Sequence, residues 1–208
     1  MARICVLAVA LAFVGALGCA PRLIRSSHAV PLSAQGRISN IPRIWIAGFA
    51  VNSSSGFDVN LETIRLLRTW FRERTSVPVV DAEPLTIPNE QIFADAPYWR
   101  RLGEEHGSPL IVTGSVQLLL APPQMVQRGR RTFYLHATGR LLEVTVVMID
   151  GETGDVLSRT EIPTRTEYGI GRGSSGLTLY FGLMNRAMDD WFRAVAEGLP
   201  RARSDQPL

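Results

Sequence analysis

The sequence predicts an α/β domain of the α+β sandwich kind, with a mixed sheet, helices packed on it, and the order β-α-β-α-β-β-β-α. Three observations carry that prediction. Five stretches are apolar on alternate positions or on both faces. Two others repeat apolar residues at helical spacing. Asp150-Gly151-Glu152-Thr153-Gly154-Asp155 is a strong hairpin turn.

The first strand is expected over Arg43 to Ala50. Ile44 and Ile46 alternate with Trp45 and Phe49, which suits a central strand covered on both sides. NSSSGF at 52–57 is a loop. Asp58 or Asn60 can then N-cap a helix running to about Arg74, because either short side chain can accept from a free amide of the first turn. Leu61, Ile64, Leu67 and Phe71 form its apolar stripe, and Arg65, Arg68 and Arg72 take the wet face. Val77 to Val80 is a short buried strand. Residues 85–96 are loop or a brief turn. Pro97 can start a second helix through Glu105, ended by His106-Gly107.

Leu110 to Leu120 alternates cleanly. Leu110, Val112, Val116, Leu118 and Leu120 share one dry face, and Thr113, Ser115 and Gln117 share the other. Pro122-Pro123 and Gly129 mark a connection. Thr132 to Ile149 is expected as one long strand bulged at Gly139, returning antiparallel from Val156 to about Thr166. A Gly-rich loop at 169–176 precedes a last helix from about Leu177 to Leu199. Its wide apolar face includes Leu179, Leu183, Met188, Trp191 and Val195.

The ends read differently from the middle. Residues 1–18 combine Arg3 with an apolar run from Ile4 to Leu17, the pattern of a secretory signal. Ala16-Leu17-Gly18-Cys19 resembles the lipobox of bacterial lipoproteins, which implies cleavage before Cys19 and lipidation of its thiol. Each buried CH₂ of such a lipid contributes about 0.8 kcal/mol, so several acyl chains hold a protein on a membrane. Cys5 would leave with the signal, and the remaining chain would then have no disulfide. Ala20, where an Asp commonly means inner-membrane retention, implies the outer membrane, periplasmic face. Residues 19–42 are read as the lipidated Cys and a tether with three Pro, 43–199 as the domain, and 200–208 as a polar tail.

The charge excludes some partners. All 22 Lys+Arg residues of the 208 are Arg, and the net charge is +3. That is a weak field, scattered among acids, and gives no support to nucleic-acid binding. Without lysine, Schiff-base and P-loop lysine chemistry are also excluded.

Ser108-Pro-Leu-Ile-Val-Thr-Gly-Ser-Val116, then Leu142-Glu-Val-Thr-Val-Val-Met-Ile-Asp150, then Glu152-Thr-Gly-Asp-Val-Leu-Ser158 carry a resemblance. In that order they resemble the curli-transport lipoprotein (CsgG) superfamily, including its penicillin-binding-protein activator (LpoB) branch, from about Arg43 to Leu199. Gly114 allows close backbone approach in the first piece, and Thr153-Gly154 closes the hairpin in the last. The resemblance implies a cell-envelope lipoprotein. Its pore-forming members insert long hairpins into a membrane. The matching regions here, Leu119 to about Phe133 and Pro163 to Leu177, are short, and residues 164–173 lack the alternation of a membrane strand.

Residues bearing chemistry do not converge. Gly171-Arg-Gly-Ser-Ser-Gly176 is a literal GxGxxG, but no strand follows the next helix, so no dinucleotide-binding unit forms. His28, His106 and His136 fall in the tether, at a helix end and in a strand, with no metal-ligand spacing. Glu104-Glu105 and Asp189-Asp190 are adjacent on helices and do not share a face. No nucleophile elbow surrounds Ser174 or Ser175. No catalytic residue, metal site or cofactor is therefore assigned. Arg128, Arg130 and Arg131 form the densest basic cluster, with Tyr134 beside it, and are the candidate contact for a partner. Tyr98-Trp99 reads as a plug at a helix start or as a partner anchor. The expectation is a non-enzymatic, membrane-anchored interaction or assembly factor of the envelope, serving secretion or cell-wall synthesis. Its partners are the membrane, through lipid on Cys19, and an unidentified envelope protein, with homo-oligomerisation left open. The alternative is a subunit of an oligomeric outer-membrane secretion channel.

Overall fold

The computed structural model describes residues 41–122, 124–128, 131–135, 139–168 and 176–196. The expected signal, Cys19 with its tether, and the polar tail lie outside the described residues.

The fold is α+β, with a five-stranded mixed sheet and three helices packed against it. The strands are β1 (Ile44–Ser53), β2 (Val79–Val80), β3 (Leu110–Leu120), β4 (Gln124–Arg128), β5 (Arg131–Leu135), β6 (Gly139–Asp150) and β7 (Val156–Tyr168). The helices are α1 (Val59–Arg74), α2 (Ala96–Glu105) and α3 (Gly176–Ala196), with a 3-10 turn at Glu90–Ala94 before α2. The main sheet runs β2-β1-β3-β6-β7. β1 is parallel to both neighbours; β3, β6 and β7 are mutually antiparallel.

The expected long strand from Thr132 to Ile149 divides into two. β5 pairs with β4 in a separate two-stranded ribbon, and β6 pairs with β3 and β7. The stretch expected as a connection thus contains a strand of its own. β1 lies one place from the edge. β2 pairs with only Ile44 and Trp45, and beyond it Leu85 N–H bonds to the Ala47 carbonyl at 2.7 Å.

One sheet face is covered along most of its length, leaving Val51 and Leu120 exposed at one end. Ile44, Ile46 and Phe49 of β1, Val112 and Val116 of β3, and Val144 and Val146 of β6 meet α1 and α3 there. Asp58 caps α1, accepting from Leu61 N–H at 3.0 Å. Val59, Thr63, Leu67 and Phe71 follow at helical spacing on its inner side. Phe71 meets Phe192 of α3 with ring centroids 5.1 Å apart. The buried Tyr180 hydroxyl shares a 2.7 Å hydrogen bond with Thr63 Oγ1. Burial pushes the Tyr180 phenol far above its ordinary range, against the opposing pull of the Thr63 bond, so it stays neutral.

The other face is half covered. Trp45, Ala47, Ile111, Val147 and Ile149 pack there under α2, the 3-10 turn and the chain leading into it. Trp99 is the plug. It is fully buried, and its indole N–H bonds to the Ile92 carbonyl at 2.8 Å. Asp95 caps α2 through Tyr98 N–H, with Pro97 in the first turn. The Asp150–Asp155 hairpin closes with Gly154 at φ 79°. A Cβ there would lie 2.0 Å from the Ala96 carbonyl oxygen, so the turn seats directly on α2.

Candidate functional site

Two features outside the packed core are candidates. The first is the part of the second face that α2 leaves open. Ser115 and Gln117 of β3 pair with Thr145 and Glu143 of β6, and Thr145 in turn pairs with Glu161 of β7. Alternation places these side chains opposite the α1/α3 face. They line a shallow depression of about 280 Å³ with Glu90 on its rim. Gly114, between Thr113 and Ser115 on β3, has φ 153°, and a Cβ there would fall 1.9 Å from the Thr145 carbonyl oxygen. The close approach inferred from sequence at this glycine is that contact.

Glu90 fixes the border between the covered and open parts. Ser115 Oγ donates to it at 2.6 Å, and Arg159 donates to its other carboxylate oxygen at 2.5 Å. The Ser115 bond holds the Glu90 carboxyl below its ordinary range; partial burial opposes this, and Arg159 adds to the lowering. A carboxylate so held is a weak base, so the Ser115 hydroxyl is anchored rather than activated. Glu143 and Glu161 form no ion pair with any described residue.

A larger depression of about 470 Å³ lies over α1 and α3, but its acids are paired. Asp189 meets Arg74 and Arg193, and Asp190 meets Arg193 and Arg165. Its charges are used within the fold.

The second feature is the ribbon. β4 and β5 are five residues each, about 17 Å long. Their register sets Gln124 opposite Leu135, Met125 opposite Tyr134, Val126 opposite Phe133 and Arg128 opposite Arg131. Two of the sequence-predicted arginines are thus brought together as the last cross-strand pair. Tyr134 stands three positions along β5 from Arg131, opposite Met125. Arg130 and Cys19 lie outside the described residues, as do the loop of the GxGxxG match up to Ser175, His28 and His136. His106 ends α2 and meets Trp45 in a tilted ring contact, with centroids 4.1 Å apart.

The sequence marked the face of Thr113, Ser115 and Gln117 as polar. It did not mark Glu90, Glu143 or Glu161, which reach that face from other segments. Leu120, expected in the dry stripe, is 64% exposed at the end of β3. Among the described residues no group of three or more His, Cys, Asp or Glu is placed to hold a metal ion. Among them, too, no helix is long and apolar enough to cross a membrane.

No family profile and no curated protein matches the chain. Solved structures with a similar arrangement include a PelC dodecamer, a point variant, from Paraburkholderia phytofirmans. It is 13% identical, with 73% of this chain and 89% of that one covered and a TM-score of 0.43. Lipoprotein GNA1162 from Neisseria meningitidis is also 13% identical, covering 69% and 96%, with a TM-score of 0.37. The hypothetical protein CT253 from Chlamydia trachomatis is 8% identical, covering 76% and 95%, with a TM-score of 0.38. These values assign no family.

Proposed function

We propose that the chain is a membrane-anchored periplasmic lipoprotein of the outer membrane, acting as a non-enzymatic interaction or assembly factor of the cell envelope. The machinery it serves is one of secretion or cell-wall synthesis. The observation that carries this reading is the β4–β5 ribbon. It stands apart from the five-stranded sheet and ends on the cross-strand pair Arg128 and Arg131. Arginine is a residue type whose planar guanidinium can donate to carboxylates or phosphates. The lipobox-like Ala16-Leu17-Gly18-Cys19 supports the anchor.

Replacing Cys19 tests the anchor. Cys19→Ala is expected to leave the membrane pellet and to lose labelling by a palmitate-type probe, while crosslinked envelope from the wild type yields a protein partner. Continued sedimentation with lipid label in the variant would refute the reading.

A further inference from the structure

The covered and open halves of the second face form a step. α2 and the 3-10 turn stand on one half, with Trp45, Ile111 and Val147 packed beneath. No helix of the described residues stands on the other half, so the step is one helix high, about 10 Å. The open half is acidic near the rim and apolar beyond it. Glu143 and Glu161, on adjacent strands, form no ion pair with any described residue. Farther along, the cross-strand pair Leu119 and Leu141 falls on the same face by alternation and is only half-buried.

α2 carries the opposite charge at the top of the step. Its outward stripe, Pro97, Arg100, Arg101 and Glu104, follows helical spacing and is exposed throughout. Arg100 reaches Glu104 only at 3.9 Å. Arg101 makes no ion pair with any described residue, and its guanidinium lies 5.8 Å from the Tyr98 ring. Both arginines are open to an outside carboxylate.

Two copies can face each other across this side of the sheet about a two-fold axis in either of two directions. An axis along the strands sets helix on helix and places Glu143 and Glu161 against their own counterparts, which like charge opposes. An axis across the strands, at the rim, sets each α2 into the other copy's open half. Both steps are then filled, and each pair of α2 arginines meets the other copy's two free acids. Glu90 and Arg159 at the rim already neutralise each other, so no unpaired charge is trapped near that axis.

We infer that the protein forms a two-fold dimer through this face, with α2 of each copy seated in the open half of the other. Such a contact uses one self-complementary patch on both copies, so it closes at two. It goes beyond the envelope-assembly reading and does not rest on it, because every residue it uses belongs to the folded domain.

The test is sedimentation velocity on the full chain in detergent, across concentration and at low and high salt. Wild type is expected to pass from monomer to dimer and no further, and to dimerise more weakly as salt rises. Arg100→Glu with Arg101→Glu, or separately Glu143→Arg with Glu161→Arg, should each weaken dimerisation by about tenfold or more at unchanged Tm. An equimolar mixture of the two variants should restore the dimer, because each contact of the mixed pair again joins opposite charges. If a reversal lowers Tm, Arg101→Gln and Glu161→Gln, both at exposed positions, must each show a loss in the same direction. A wild type that stays monomeric, assembly beyond two, a dimer that neither reversal weakens, or a mixture that remains dissociated overturns the inference. None of these outcomes bears on the anchor, which Cys19→Ala tests separately.

Discussion

The two halves of the sheet's second face are built on the same strands and behave in opposite ways. Toward α2, β3 and β6 contribute Ile111, Val147 and Ile149, all fully buried. A few residues along, the same alternating positions are Ser115, Gln117, Thr145 and Glu143, and no helix among the described residues lies over them. The opposite face of these strands stays apolar, with Val112, Val116, Val144 and Val146 under α1 and α3. A strand's outward pattern therefore reports what covers it, position by position, and the change from Ile111 to Ser115 marks where the cover stops. Thr113 sits between, buried, its hydroxyl bonded to the Gly48 carbonyl at 2.6 Å.

The sharpest way to break this contrast is to empty the covered half. Trp99→Ala removes the plug and its bond to Ile92, and should cost about 3–5 kcal/mol in chemical denaturation. Thr145→Ala in the open half should change stability by about 0.5 kcal/mol or less. Equal losses would mean that the open half is packed after all.

The boundary itself comes next. Gly114→Ala would drive a methyl into the Thr145 carbonyl from a backbone conformation that L-residues avoid, at a cost of about 2 kcal/mol or more. A Tm equal to wild type would show that β3 and β6 do not approach each other so closely.

The smallest effect is at the rim. Glu90→Gln keeps an acceptor for Ser115 and removes the charge facing Arg159. Both Arg159 and Glu90 are over 40% exposed, so the loss near neutral pH should be about 0.2–1 kcal/mol. Its pH dependence has a definite sign. The folded state lowers the Glu90 pKa, so the charge contributes stability above the ordinary Glu value of about 4.3. The contribution fades as pH falls through the lowered folded value. The gap in Tm between wild type and Glu90→Gln should therefore narrow below about pH 4.3, and a gap that widens there would reverse the assignment.

What the sequence made legible was local. Asp58 as cap, Pro97 in the first turn of α2, the Asp150–Asp155 hairpin and the two-faced β3 each follow from neighbours in the chain. What it hid depends on partners far away. Asn60 was an alternative cap, yet its side chain accepts from Phe49 N–H and donates to the Leu85 carbonyl, tying α1 to β1 and to the segment after β2. The run from Thr132 to Ile149 reads as one long strand, yet its two ends take different pairing partners, β4 for the first and β3 and β7 for the second. The candidate face was half legible. Its serine and glutamine lie on one strand, but Glu90 and Arg159 are 69 residues apart in sequence and meet only through the fold.

The outer strand β7 has a consequence for how the molecule behaves when crowded. Its ladder to β6 slips between Leu142 and Val144, so that Val144 pairs with Ile162 and Leu142 with Arg165. Pro163, which has no amide hydrogen to donate, lies within that slip, and Arg159, Glu161, Arg165 and Glu167 stud the strand around it. A stray strand adding to this edge would lose its hydrogen-bond register midway and face a row of mixed charges. The sheet is thereby blunted at this edge against sideways growth into aggregates when the molecules are concentrated.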